Sequence, residues 1–326
     1  MIYPSISEVR QRAYELWQER GAGFGHAEVD WVHAEWMLRV EKNYDLIEAA
    51  NFDEVREMTD RPGAGDRICR YCCDDENATS FAMEGHAISA HWGSNLITLD
   101  ECDRCNQTFG RCESTFGQFS APIRAYMRTV HTRTGRKNVP ASDFAIGSDG
   151  VKRFVNLDEH GVKWVEPDYT AVKSKKGKIQ VAKSLVKYGL AIMPGEMLRK
   201  FEPTIAWIRD ENHDNVPGEI NDWITLVSAT PSHQGHWYED KSEIRLYTSK
   251  MNHNKLSGTL LLFRQASFAL QISIPLSTEK RFKMKSDVLM IPPFTRFDQQ
   301  FGLPGVPVVS KELSLVDPQK LRPISI

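Results

Sequence analysis

The chain has 326 residues, 41% hydrophobic and 26% charged, with 41 Lys and Arg against 43 Asp and Glu for a formal charge of −2. That is the composition of an ordinary soluble globular protein. No run of eighteen apolar residues occurs, which excludes a helical membrane span. The length predicts two domains with room for a small extra unit, because single cores cover about 100–200 residues. The opening MIYPSISEVRQR lacks the apolar core of a signal peptide, which points to the cytoplasm.

Residues 5 to about 58 read as helical. Ser5 and Glu8 have capping-box spacing, and Ile6, Val9, Ala13, Leu16 and Trp17 then recur on one face. Gly21-Ala22-Gly23 ends that helix. Val29, Val32, Trp36, Met37 and Val40 mark a second helix packed on the first. The words Arg12–Trp17 and Trp31–Glu35 resemble a short bacterial helical family of unknown function, a likeness that names no activity. Arg61-Pro62-Gly63-Ala64-Gly65-Asp66 is a linker by composition.

The next stretch carries the chemistry. Cys69-x-x-Cys72 and Cys102-x-x-Cys105 bracket about thirty residues, and the six cysteines fall between 69 and 112. Paired C-x-x-C units in a chain with no secretion signal indicate a metal rather than disulfides. Four thiolates close a tetrahedral Zn2+ site with no position open to substrate, so the zinc would be structural. Cys73 competes with Cys72 for the fourth place, since a three-residue spacer also serves.

Between the pairs lie the strand-like Ser80–Met83, His86, the loop His91-Trp92-Gly93-Ser94, and Asn95–Leu99; Asn106 follows the last cysteine directly. In order and spacing this segment resembles the zinc-stapled HNH endonucleases, the ββα-metal nucleases. The likeness runs on through Glu113, Phe116-Gly117, Phe119, Pro122 and Arg124 to Gly135–Pro140, so it covers residues 69–140. It implies His86 as the general base, Asn106 as a ligand of a catalytic Mg2+ or Mn2+, and Asn95 as a brace for the loop holding His86. A histidine has the pKa to deprotonate water near neutrality, and a hard cation polarises the phosphate. One departure concerns the position before the histidine, often acidic in the family and here Gly85. Glu84 is one residue further back, where alternation turns it to the other face unless a bulge at Gly85 swings it inward as a metal ligand. Ser89 and Ala90 also depart from the family's usual H-x-I-P-E form. His91 is an alternative ligand.

Downstream, Arg111, Arg124, Arg128, Arg133, Arg136 and Lys137 face a lone Glu113. In a near-neutral chain this local excess suits a phosphate backbone, with double-stranded DNA as the expected partner. Phe154–Leu157 and Val162–Val165 are expected strands, and the lysines at 173, 175, 176 and 178 a turn around Gly177. Helices are expected over 179–192 and, after Pro194, 195–209. Trp223–Val227, Glu243–Tyr247, Thr259–Phe263 and Phe268–Ile274 predict an antiparallel meander, with Asp287–Ile291 as a fifth strand. No P-loop or dinucleotide fingerprint occurs.

The sequence therefore predicts an α+β protein: a helical region over 1–60, a zinc-bound ββα-metal module over 61–141, and a C-terminal α+β domain with an antiparallel sheet over 142–326, for target recognition or regulation. The expected function is a metal-dependent DNA endonuclease of a bacterial restriction or antiviral defence type, with possible protein partners from such a system and no membrane. The alternatives are a catalytically inactive zinc module that binds nucleic acid or a partner, and a nuclease gated by a small ligand or partner at the C-terminal domain.

Overall fold

The computed structural model describes residues 2–19, 21–23, 27–58, 67–126, 142–146, 152–158, 161–164, 175–212, 224–228, 242–250, 258–265 and 268–274. The architecture is α+β, with helices first and an antiparallel sheet built from the C-terminal strands. No helix among these residues is long and apolar enough to cross a membrane.

Helix α1 (Ile6–Glu19) opens on the expected capping box. The Ser5 N–H donates to Glu8 Oε2 at 2.7 Å, and the Glu8 N–H donates to Ser5 Oγ at 3.3 Å. The helix closes with Gly21 and Ala22 in the left-handed region, whose N–H groups reach back to the carbonyls of Gln18 and Trp17. Helix α2 (Ala27–Asn43) packs against it, and Lys42 Nζ meets Glu8 Oε1 at 2.7 Å.

The helical expectation fails beyond Asn43. Tyr44–Asn51 is a strand, β1, because its pairing with a distant strand overrides the helix propensity of its Leu, Glu and Ala residues. After the short β2 (Arg56–Glu57), β3 (Gly85–His86) and β4 (Leu96–Thr98) form an antiparallel pair, with β2 parallel to β4 on its other side. Helix α3 (Asp103–Tyr126) follows, so the order strand, strand, helix matches the ββα expectation.

Strands β5 (Ser142–Ile146), β6 (Lys152–Asp158) and β7 (Gly161–Trp164) make a separate three-stranded meander. Helix α4 (Lys175–Ile192) begins where a basic turn was expected. Gly177 and Ile179 are buried there, so packing extends the helix through residues that propensity alone leaves as loop. Pro194 interrupts as expected, and α5 (Gly195–Leu198) and α6 (Glu202–Arg209) follow.

Strands β8 (Ile224–Ser228), β9 (Ser242–Ser249), β10 (Thr259–Gln265) and β11 (Phe268–Ser273) join β1 in the order β1-β9-β10-β11-β8. All pairs are antiparallel. The expected meander is present in β9, β10 and β11. Strand β1, from the region expected to be helical, is an edge of this sheet. The expected strand at Asp287–Ile291 lies outside the described residues.

One face of the sheet points into a core shared with α3, α4 and the cysteine segment. Phe263 sits 4.7 Å from Trp92 and 5.2 Å from Phe52 between ring centroids, and Phe116 lies 5.1 Å from Trp92. Helix α4 is buried along nearly its whole length. Gly189 permits its close approach, because a Cβ there would lie 2.2 Å from Ile274 Cδ1.

Candidate functional site

Cys69, Cys72, Cys102 and Cys105 come together, their sulfurs all within 4.8 Å of one another. A tetrahedral zinc with bonds of about 2.3 Å separates its ligand sulfurs by about 3.8 Å. The Cys72 and Cys102 sulfurs are 3.6 Å apart, so the cage fits the ion. Backbone geometry builds the first half. The Cys73 N–H donates to the Cys69 carbonyl and the Cys69 N–H to the Asp74 carbonyl, both at 2.8 Å, turning the chain at Cys73 with a φ of 61°. That turn leaves Cys73 exposed and outside the cluster, which resolves the choice in favour of Cys72. The first turn of α3 supplies the second half. The hydrogen bond from Cys105 and backbone N–H groups of Cys102, Cys72 and Tyr71 hold the Cys69 thiol down, while Cys69 and burial push Cys105 up and burial pushes Cys72 up. One thiolate is favoured in the cluster, and a bound metal would displace the remaining protons.

His86 lies on β3, half-buried and paired with Ile97. The turn before it is tied to α3 through Asp103. That carboxylate accepts from Ser80 Oγ at 2.5 Å, the Met83 N–H at 2.7 Å and the Ala82 N–H at 3.1 Å. The clasp and the His86 strand are thus one assembly. Asn106 is half-buried in the same helical turn as Cys105, and its N–H donates to the Cys102 carbonyl at 2.9 Å.

Other expectations turn out differently. Asn95, expected to brace the loop holding His86, is exposed. The main chain makes that brace: Ala87 N–H donates to the Leu96 carbonyl, and Asn95 N–H to the Phe52 carbonyl. The register runs straight through Gly85 and His86 with no bulge, and Glu84 is exposed. Gly85 has a packing reason instead, since a Cβ there would stand 2.8 Å from Thr98 Oγ1. His91 is also exposed; its Nδ1 is 2.8 Å from Ser89 Oγ and its ring lies over Gly117 of α3. Arg111 is exposed and 3.0 Å from Glu211. Arg124 lies on α3 with its side chain outside the described residues, as are Arg128, Arg136 and Lys137.

Buried charges lie beside His86 that the sequence reading did not single out. Lys187 of α4 donates through Nζ to the His86 carbonyl and lies 3.3 Å from both Glu101 Oε2 and Glu113 Oε1. Lys187 and Glu101 side chains are at most 1% exposed. Burial pushes Glu101 up to about 7 and Glu113 upward, with Lys187 counteracting. Burial also presses on the Lys187 ammonium, but the two carboxylates outweigh it and hold the proton there. One ammonium facing two carboxylates keeps a proton on one of them near neutrality. The available signal was Lys187 set among Leu185, Val186, Tyr188 and Leu190 in the apolar half of α4. Arg70 makes a second link to α4. Its guanidinium donates to the Ala191 and Met193 carbonyls and lies 3.4 Å from Asp100.

A family model described as "Protein of unknown function (DUF2934)" matches residues 7–39, which span α1 and most of α2. No curated protein and no solved structure matches the chain.

Proposed function

We propose that this protein is a metal-dependent endonuclease of the HNH kind that hydrolyses phosphodiester bonds in double-stranded DNA. One observation carries the reading. The four-thiol cage pins the Cys69–Cys72 turn to the start of α3, which bears Asn106, and Asp103 of the same helical turn holds the segment leading into the His86 strand, in the strand, strand, helix order that such chemistry uses. In this reading a ring nitrogen of His86 takes a proton from the attacking water. Asn106 offers an amide oxygen to Mg2+ or Mn2+, which when bound supplies charge stabilisation at the phosphate. Lys187 holds the His86 main chain in place, and the basic residues downstream of Arg111 meet the backbone of the duplex.

The exposure of Glu84 and the tight contacts around Gly85 favour a second reading, a zinc-stapled module that binds nucleic acid or a partner without cutting. A plasmid-nicking assay with Mg2+ or Mn2+ separates the two. The wild type is expected to convert supercoiled DNA to open circles, and His86→Ala to lose at least about a hundredfold in rate, the typical contribution of a general base. Equal cutting by both proteins removes His86 as the base, and no cutting by either favours the second reading.

A further inference from the structure

The outer face of the sheet, opposite the aromatic core, is covered by the α1–α2 pair, and between them lies a cavity of about 530 Å3. That volume falls within the ~300–1,000 Å3 range of small-molecule sites. Strand alternation sets the floor. Glu243 and Arg245 share one face of β9, with Arg264 and Leu262 directly opposite them on β10. The Glu243 carboxylate binds both guanidiniums, Arg264 at 2.8 Å and Arg245 at 2.9 Å. Arg264 and Glu243 side chains are 6% exposed and Arg245 34%, so Arg245 is the reachable end of a rigidly held pair.

A helix–sheet contact with a purely structural role fills with apolar side chains, because burying charge carries a desolvation cost. Here the charges line a void. The Tyr44 hydroxyl, on a residue 6% exposed that also lines the cavity, is buried with no hydrogen-bond partner among the described residues. On the helix side stand Asp30, Trp36 and Glu41, with the His33 ring stacked on Trp36 at 5.9 Å.

The arrangement fixes the ligand's chemistry. Arg245 suits one anionic group. Arg12, also on the lining, faces two carboxylates, Glu15 and Glu19 at 3.0 and 3.2 Å, whereas Arg245 and Arg264 share the single Glu243 carboxylate and keep a net positive charge. The carboxylates of the helix wall repel a polyanion. Trp36, stacked on His33, extends an aromatic surface that suits a planar ring, and the Glu41 carboxylate on the same wall suits an amino group. We propose that this cavity binds an aminopurine nucleoside monophosphate, with its phosphate on Arg245, its base against Trp36 and its amino edge toward the carboxylates of α2. The inference is independent of the nuclease reading.

The test is calorimetric titration of the zinc-loaded full chain with AMP and GMP, with tryptophan fluorescence as a second readout. The expected result is saturable one-to-one binding of at least one of them, with adenosine and inorganic phosphate each weaker by about tenfold or more. Arg245→Met should weaken it about tenfold and Tyr44→Phe about fivefold, the sizes of a charged and a neutral hydrogen bond. Should Arg245→Met melt early, Tyr44→Phe decides. His86→Ala should bind as the wild type does, whatever its cutting. Absence of saturable binding at millimolar nucleotide, tighter binding of ATP than AMP, or affinity unchanged in both cavity variants would overturn the proposal.

Discussion

The two faces of the five-stranded sheet come from the same strands and do opposite work. On one face Ile244, Leu246, Leu261 and Phe263 are fully buried and join an aromatic core that reaches the cysteine clasp. On the other, one residue along in each strand, Glu243, Arg245 and Arg264 form an ion network beside a cavity. The difference teaches that burial alone does not identify the structural face. Both faces are covered, but only one is filled.

The largest break in this comparison should come from the clasp that supports the filled face. Cys102→Ser, or chelation of the wild type, is expected to lower zinc content from one ion per chain and to abolish cooperative melting of the module, because structural zinc contributes on the order of 10 kcal/mol or more. Metal analysis and thermal melting check this; unchanged zinc and an unchanged melt would mean that the thiols assemble differently. Next in size is Lys187→Met, which strands two buried glutamates and should destabilise by about 3–5 kcal/mol. Lys187→Arg should recover part of that loss in urea titration. A loss below about 1 kcal/mol for the methionine variant would show the cluster to be solvated. The sharpest comparison sets neighbouring positions on β10 side by side. Phe263→Ala should cost about 3–5 kcal/mol, and Leu262→Ala about 2 kcal/mol, since Leu262 borders a space that already exists. Equal losses would erase the distinction between the faces.

Much of the site was legible in one dimension because its signals are local. The C-x-x-C pairs each sit within one turn, and the capping box at Ser5 and Glu8 spans one helical start. The alternation of β9 and β10 likewise announced strands. What was misread depended on distant partners. Tyr44–Asn51 looked helical until its pairing with β9, almost two hundred residues away, made it a strand. Gly85 suggested a bulge, whereas its reason is the Thr98 side chain pressed against it across the pair.

The sequence by itself determined three of the four cysteines of the clasp, the order of the elements around His86 and the α+β class, since each follows from spacing within a turn or a strand. Only the tertiary structure decided that Cys72 rather than Cys73 completes the cage, that Lys187 reaches His86, and that Arg245 and Arg264 share a carboxylate beside a cavity. Those facts depend on which surfaces meet once the chain closes over loops of many residues, and residue spacing carries no record of that meeting.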